Sequence, residues 1–215
     1  MRALVGRYRP VAPDLGAGPW EAELDRLEAL APARAVIAGY SMGGRLALAL
    51  AVRRPERVRR LVLVSASPGL ARAEERAERR AADAALADRI ERIGLDAFAR
   101  EWAAQPLFAD QPEAVAALAH EDRLRRSAAD HAAQLRGLGT GVMPPLWERL
   151  GELAMPVALV VGERDAKFRA IAARMAERLP NARVIVVRGA GHAVPLEQPE
   201  AVAAAIDAPS GTCDR

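Results

Sequence analysis

Apolar residues fall into five short runs along this chain: "RPVAP" at 9–13, "RAVIAG" at 34–39, "LVLVS" at 61–65, "PVALVVG" at 156–162 and "RVIVV" at 183–187. None of them alternates apolar with polar positions, and near-continuous apolar character predicts strands covered on both faces, as in a parallel sheet. Amphipathic patterns of helical period lie between the runs, at about 20–30, 43–53, 168–179 and 199–207. Pro180-Asn181 stops the third of these and Pro199 starts the fourth. Alternating strand and helix defines an α/β fold with a mainly parallel sheet.

The rhythm changes between 69 and 150. Strand-like runs vanish there, and "ARAEERAERRAADAALADRIERI", "LDAFAREWAAQ" and "PEAVAALAHEDRLRRSAADHAAQLRGL" read as successive helical segments before Pro144-Pro145. The expected layout is a core in two parts, 1–68 and 151–215, with a helical cap at 69–150 inserted between them. A length of 215 residues, 51% of them hydrophobic, suits one such domain with an inserted lobe.

Composition narrows the function classes. The net charge is +3, yet acids are interleaved with the arginines throughout, and Lys167 is the only lysine. That argues against a nucleic-acid-binding stripe. No apolar run reaches bilayer length and no signal-peptide core is visible, so no membrane partner is expected. Cys213 is the single cysteine, which excludes an internal disulfide and suits a reducing cytoplasm. His120, His131 and His192 are far apart and outside any metal-ligand spacing, so neither a metal nor another cofactor is expected.

One stretch carries chemistry. "AGYSMGGR" at 38–45 places Ser41 between glycines where a strand gives way to a helix. A Gly- and Ser-rich turn is an ordinary reversal. It is also the G-x-S-x-G nucleophile elbow, in which a sharp turn raises the serine Oγ above the sheet. Side chains at Gly39 and Gly43 are expected to crowd that turn. Serine needs a histidine to take its proton and an acid to orient the histidine. Asp165 follows the run at 156–162, and His192 follows the run at 183–187 in a loop with Gly189 and Gly191. Asp165 could merely cap a helix, and Glu163 is a competing acid nearer the strand. The order Ser, Asp, His, each beyond a strand end, favours the triad Ser41–Asp165–His192, with the Met42 N–H as an oxyanion donor.

With these residues in place the chain resembles the α/β-hydrolase superfamily. Within it, "GYSMGGRLAL", "SPGLARAEERAERR", "EWAAQPLF", "LRGLGTG" and "GERDAKFR" are similar to the menaquinone-pathway synthases that form 2-succinyl-6-hydroxy-2,4-cyclohexadiene-1-carboxylate (SHCHC). The resemblance covers about residues 9 to 205. It implies a lyase in which Ser41 acts as general base, a ring proton is lost and pyruvate is expelled. It also implies arginines for a small polycarboxylate substrate, whose oxygens suit the guanidinium fork. These match Arg45, Arg79 and, against the competing Arg125 and Arg126, Arg123, with Tyr40 and Trp102 lining the pocket. Plain alternatives stand beside each: Arg72, Arg76, Arg79 and Arg80 share a helical face, Glu75 pairs at i,i+4 with Arg79, and Trp102 could be cap core.

The superfamily carries, upstream of the matched region, a strand ending in a His-Gly loop that donates a second oxyanion N–H. No His-Gly pair precedes Ser41 here. Three readings follow: a synthase-like lyase whose N-terminal strands are missing, an ester or thioester hydrolase with Ser41 as nucleophile, or a non-catalytic member that binds an anionic ligand. On the first reading the 215-residue chain is expected to be weakly active and poorly soluble. The oligomeric state is not legible.

Overall fold

The computed structural model describes residues 8–105, 108 and 111–208. Cys213 lies outside them. Four parallel strands form one sheet in the order β1 (Ala35–Tyr40), β2 (Val58–Val64), β3 (Val157–Gly162), β4 (Ala182–Val187). The β1–β2 register shifts once, between Ala35 and Val36, and then runs evenly to the carboxyl ends, with Tyr40 beside Val64, Val64 beside Val160, and Gly162 beside Val187. β2 is apolar from Leu61 to Val64 because both of its faces are covered.

The expected strand at 9–13 is absent. Pro10 and Pro13 have no N–H to give a ladder, and Val11, 57% exposed, has no face to bury. The other four runs are strands, with ends within three residues of those expected.

By contacts the chain divides into two units. The first comprises Met1–Asp14, Leu24–Pro68 and Leu146–Arg215, and the second Leu15–Glu23 and Gly69–Pro145. The first unit holds the sheet. The helix α1 (Trp20–Leu30) begins in the second unit and ends in the first. In the first unit α2 (Met42–Arg53) packs on β1 and β2, and α7 (Ala166–Ala176) packs on β3 and β4. The last helix, α9 (Pro199–Asp207), follows the short α8 (Val194–Glu197) and packs on β2 and β3. Its Ala205 joins Val62, Val64, Val160, Val187, Ala190 and Val194 in one buried cluster, which includes Ala190 of the loop after β4.

The second unit is helical among its described residues: α3 (Ala73–Ile93), α4 (Leu95–Ala103), α5 (Glu113–Leu124) and α6 (Ala128–Leu138). Of its 21 residues α3 buries only Asp83, Ala87 and Ile90. Gly94, at φ 79°, ends α3 and opens α4 in a conformation that glycine adopts without strain. The apolar pattern across 112–138 is broken into two helices at Ser127. The Ser127 hydroxyl accepts from Asp130 N–H, and the Asp130 carboxylate accepts from Ser127 N–H, so a reciprocal cap starts α6. No helix among the described residues is long and apolar enough to cross a membrane.

Candidate active site

Every strand of a parallel sheet ends on the same edge, so loops after β1, β3 and β4 meet there. β1 delivers Ser41 into α2 through a backbone at φ 48°, ψ −109°, a conformation that costs a non-glycine residue energy. The Ser41 N–H donates to the Val64 carbonyl (2.9 Å), which pins the turn to the neighbouring strand. A Cβ on Gly39 would lie 2.4 Å from the Gly43 carbonyl oxygen, so only glycine fits. Gly43 itself has open space. The second crowded position is Gly44, where a Cβ would meet the Ala66 methyl at 2.5 Å. The crowding expected at Gly43 therefore belongs one residue later, because it is the helix's next residue that faces the sheet.

Ser41 Oγ lies 3.3 Å from His192 Nε2, and His192 Nδ1 lies 2.7 Å from Asp165 Oδ2. A carboxylate only accepts hydrogen bonds, so Nδ1 carries the proton and Nε2 presents its lone pair to the serine. Asp165 also accepts from Phe168 N–H through Oδ1 (3.1 Å). The helix cap and the histidine-orienting acid are thus one residue, using one oxygen for each task. The side chains of His192 and Asp165 are 3% and 1% exposed, so water does not weaken their bond.

Glu163 is not in this chain of bonds. Its Oε2 accepts from Gly189 N–H (2.9 Å), and its N–H donates to the Val187 carbonyl (2.9 Å). It ties the β3 turn to the histidine loop. Two rings bracket the imidazole, Phe168 at 4.6 Å and Tyr40 at 5.5 Å between centroids. Phe168 was not legible as a site residue. Its only signal is its place in the first turn after Asp165.

Met42 opens α2, where helix geometry offers its N–H no intrahelical acceptor. Arg45 follows one turn on, buried at 7% exposure, and its N–H donates to the Ser41 carbonyl. Arg79 lies on α3 and donates from Nε to Asp83 Oδ1 (2.8 Å). Trp102 sits half-buried between Phe98 (5.4 Å) and Phe108 (6.2 Å). Arg123 offers its carbonyl to His131 Nε2 (2.8 Å). Its neighbours are otherwise committed: Arg126 donates to the Leu15 carbonyl (2.8 Å), and the exposed Arg125 pairs with Asp122 at 3.6 Å.

A family model described as the alpha/beta hydrolase family matches residues 1–205. A Bacillus subtilis (strain 168) protein named putative SHCHC synthase is 46% identical over 164 residues, 75% of this chain and 60% of that protein. The SHCHC synthase of Salmonella paratyphi B is 36% identical over 170 residues, 77% of this chain and 64% of the relative. The chain therefore spans about three fifths of the length of these curated relatives. Among solved structures, MenH from S. aureus superposes with a TM-score of 0.84 at 30% identity, covering 90% of this chain and 79% of that one. An esterase from Thermogutta terrifontis gives 0.70 at 28% identity, covering 92% and 73%.

Proposed function

This chain belongs to the alpha/beta hydrolase family, and from that premise we propose that it works as an SHCHC synthase-like lyase of menaquinone biosynthesis. The observation that carries the reading is the Ser41–His192–Asp165 geometry, in a chain 46% identical to a protein named for that reaction. In the proposed step Asp165 holds His192 with its proton on Nδ1, and His192 Nε2 takes the Ser41 proton. The serine oxygen then removes a ring proton, and the freed electron pair forms a ring double bond as the ring C–O bond to the enolpyruvyl group breaks. The departing enolate takes up at carbon the proton that His192 holds and leaves as pyruvate. The 3.3 Å separation of Oγ and Nε2 is one that substrate binding ordinarily shortens.

The substrate is a small polycarboxylate. We assign its carboxylates to Arg45, Arg79 and Arg123, its pocket walls to Tyr40 and Trp102, and negative charge developing on oxygen to the Met42 N–H. Binding of nucleic acid or membrane is not part of this reading, and a cytoplasmic biosynthetic role is.

The second reading is an ester hydrolase, supported by the same triad and by the likeness to the Thermogutta esterase. The two part kinetically. A hydrolase forms an acyl-enzyme and shows a burst with p-nitrophenyl acetate, whereas the lyase releases pyruvate with no covalent intermediate. Pyruvate release without a burst supports the lyase. A burst with no pyruvate release overturns it.

A further inference from the structure

The carboxylate of Glu197, on α8 five residues past His192, is 3% exposed at its side chain and takes no part in the proposed chemistry. Its Oε2 accepts two bonds, from Gly191 N–H (2.8 Å), the residue before His192, and from Arg164 Nη2 (2.8 Å), the residue before Asp165. Its Oε1 is buried with no hydrogen-bond partner. An unpaired buried oxygen is unfavourable, so the carboxylate is held there against its own solvation. The chain makes room for it. A Cβ on Gly191 would sit 3.2 Å from Oε1, and α8 turns back at once through Ala193, whose carbonyl accepts from Leu196 and Glu197 N–H.

We propose that Glu197 is a positioning residue for the triad: its buried carboxylate clamps the histidine loop to the acid turn and so sets the spacing of His192 and Asp165. The inference rests on Ser41–His192–Asp165 being catalytic, and it is indifferent to the choice of lyase or hydrolase. One of its bonds is a charge-assisted pair with the Arg164 guanidinium and the other is accepted from a backbone N–H, which together fix distance and angle. The backbone supplies separate ties between the same turns, from Arg164 N–H to the Ala190 carbonyl and from Glu163 N–H to the Val187 carbonyl (2.9 Å each), but neither reaches Gly191. Without Glu197 those bonds remain, while the N–H of Gly191, the residue directly before the imidazole, loses its acceptor.

The test uses the full chain with Glu197→Ala, Glu197→Gln and Arg164→Ala. Folding is checked by circular dichroism, turnover by pyruvate release and p-nitrophenyl acetate cleavage. The low-field proton resonance of the His192–Asp165 bond is followed by NMR. Misplacing a catalytic group by about an ångström costs on the order of a hundredfold, so Glu197→Ala should lower kcat about ten- to a hundredfold with KM nearly unchanged. The low-field resonance should shift or disappear. Glu197→Gln keeps an acceptor for Gly191 and should recover part of the loss, and adding Arg164→Ala to Glu197→Ala should cost little more. A folded Glu197→Ala with kcat within about twofold of the parent and an unmoved resonance overturns the proposal. If Glu197→Ala does not fold, an unchanged resonance and kcat in both Glu197→Gln and Arg164→Ala overturns it equally. A parent chain inactive on both substrates would count against the catalytic reading alone, because the resonance reports on the clamp without turnover.

Discussion

The sheet unit and the helical unit hold their functional side chains by different means. Around Ser41 the backbone does most of the holding, through a positive-φ serine, a Ser41 N–H bonded to Val64, and turns after β3 and β4 tied together by main-chain bonds. The Glu163 and Glu197 carboxylates add to this, each accepting from a backbone N–H of the histidine loop. In the helical unit, side chains hold one another. Arg79 meets Asp83, Arg89 meets Glu101, and Arg136 meets both Asp88 and Glu91, mostly in water. Backbone placement is rigid to a fraction of an ångström and tolerates little change. Ion pairs between long exposed side chains are worth little individually and are easily exchanged. Reaction geometry belongs on the first kind of support.

The largest effects should therefore fall on the sheet unit. Ser41→Ala, His192→Ala and Asp165→Asn should each lower kcat by about three to four orders of magnitude, and combining them should add little, since the three act as a unit. Steady-state kinetics on folded variants checks this. Near-full turnover by folded Ser41→Ala would remove the contrast between the units altogether.

Next come the turn glycines. Gly39→Ala forces a methyl to 2.4 Å from backbone oxygen, where no side chain can yield. It should cost about 3 kcal/mol of stability, near the top of the usual range for overpacking, and should disturb Ser41 as well. Thermal unfolding should show a fall of roughly 6–12 °C for a chain of this size. Gly43→Ala meets open space inside a helix and should be neutral or stabilising by up to about 1 kcal/mol. Equal losses in the two would mean the elbow's backbone is not what matters.

The same difference in support explains what could be read in advance. Four strands, the helices around them and the order Ser41, Asp165, His192 are legible because backbone-driven structure follows local rules: apolar runs, prolines, glycine turns. The stretch at 9–13 misled because its apolar residues carry two prolines, a sign of exposure that the run of hydrophobic letters concealed. Gly43 misled because the motif names it, while only three-dimensional contact shows that Gly44 faces Ala66. Glu197 and Phe168 were invisible for the converse reason. Their partners are set by the way α8 and α7 fold back on the loops, which no spacing rule records. Arg79's bond to Asp83 is an ordinary i,i+4 pair, and in sequence it looks like any other on that helix.

Arginine replacements should sharpen the comparison at intermediate size. On the proposed lyase reading, replacing Arg45, buried beside the elbow, with alanine should cost about 1.5–3 kcal/mol of transition-state binding, or about ten- to more than a hundredfold in kcat/KM with a polycarboxylate substrate. A neutral ester should be far less affected. Arg79→Ala should cost less, about tenfold on the polycarboxylate, because an exposed guanidinium is more readily replaced by water. Comparable losses on both substrates for Arg45→Ala would make that arginine structural.

The smallest effect should come from the exposed network on the helical unit. Hydrogen bonding from Arg136 holds the Glu91 carboxyl below its ordinary value, and Glu91 and Asp88 together raise the Arg136 guanidinium. A carboxylate whose folded-state pKa is depressed adds stability above its unfolded value and loses it as pH falls through the depressed one. Arg136→Ala should thus lower the melting temperature slightly at neutral pH. The gap from the parent should close as the solution is acidified through the carboxylate range, and should narrow in high salt because the pairs are exposed. Catalysis should be untouched throughout. Melting curves at several pH values read this directly. A gap that persists in acid would assign Arg136 a packing role, in which its aliphatic stem against α3 matters more than its charge.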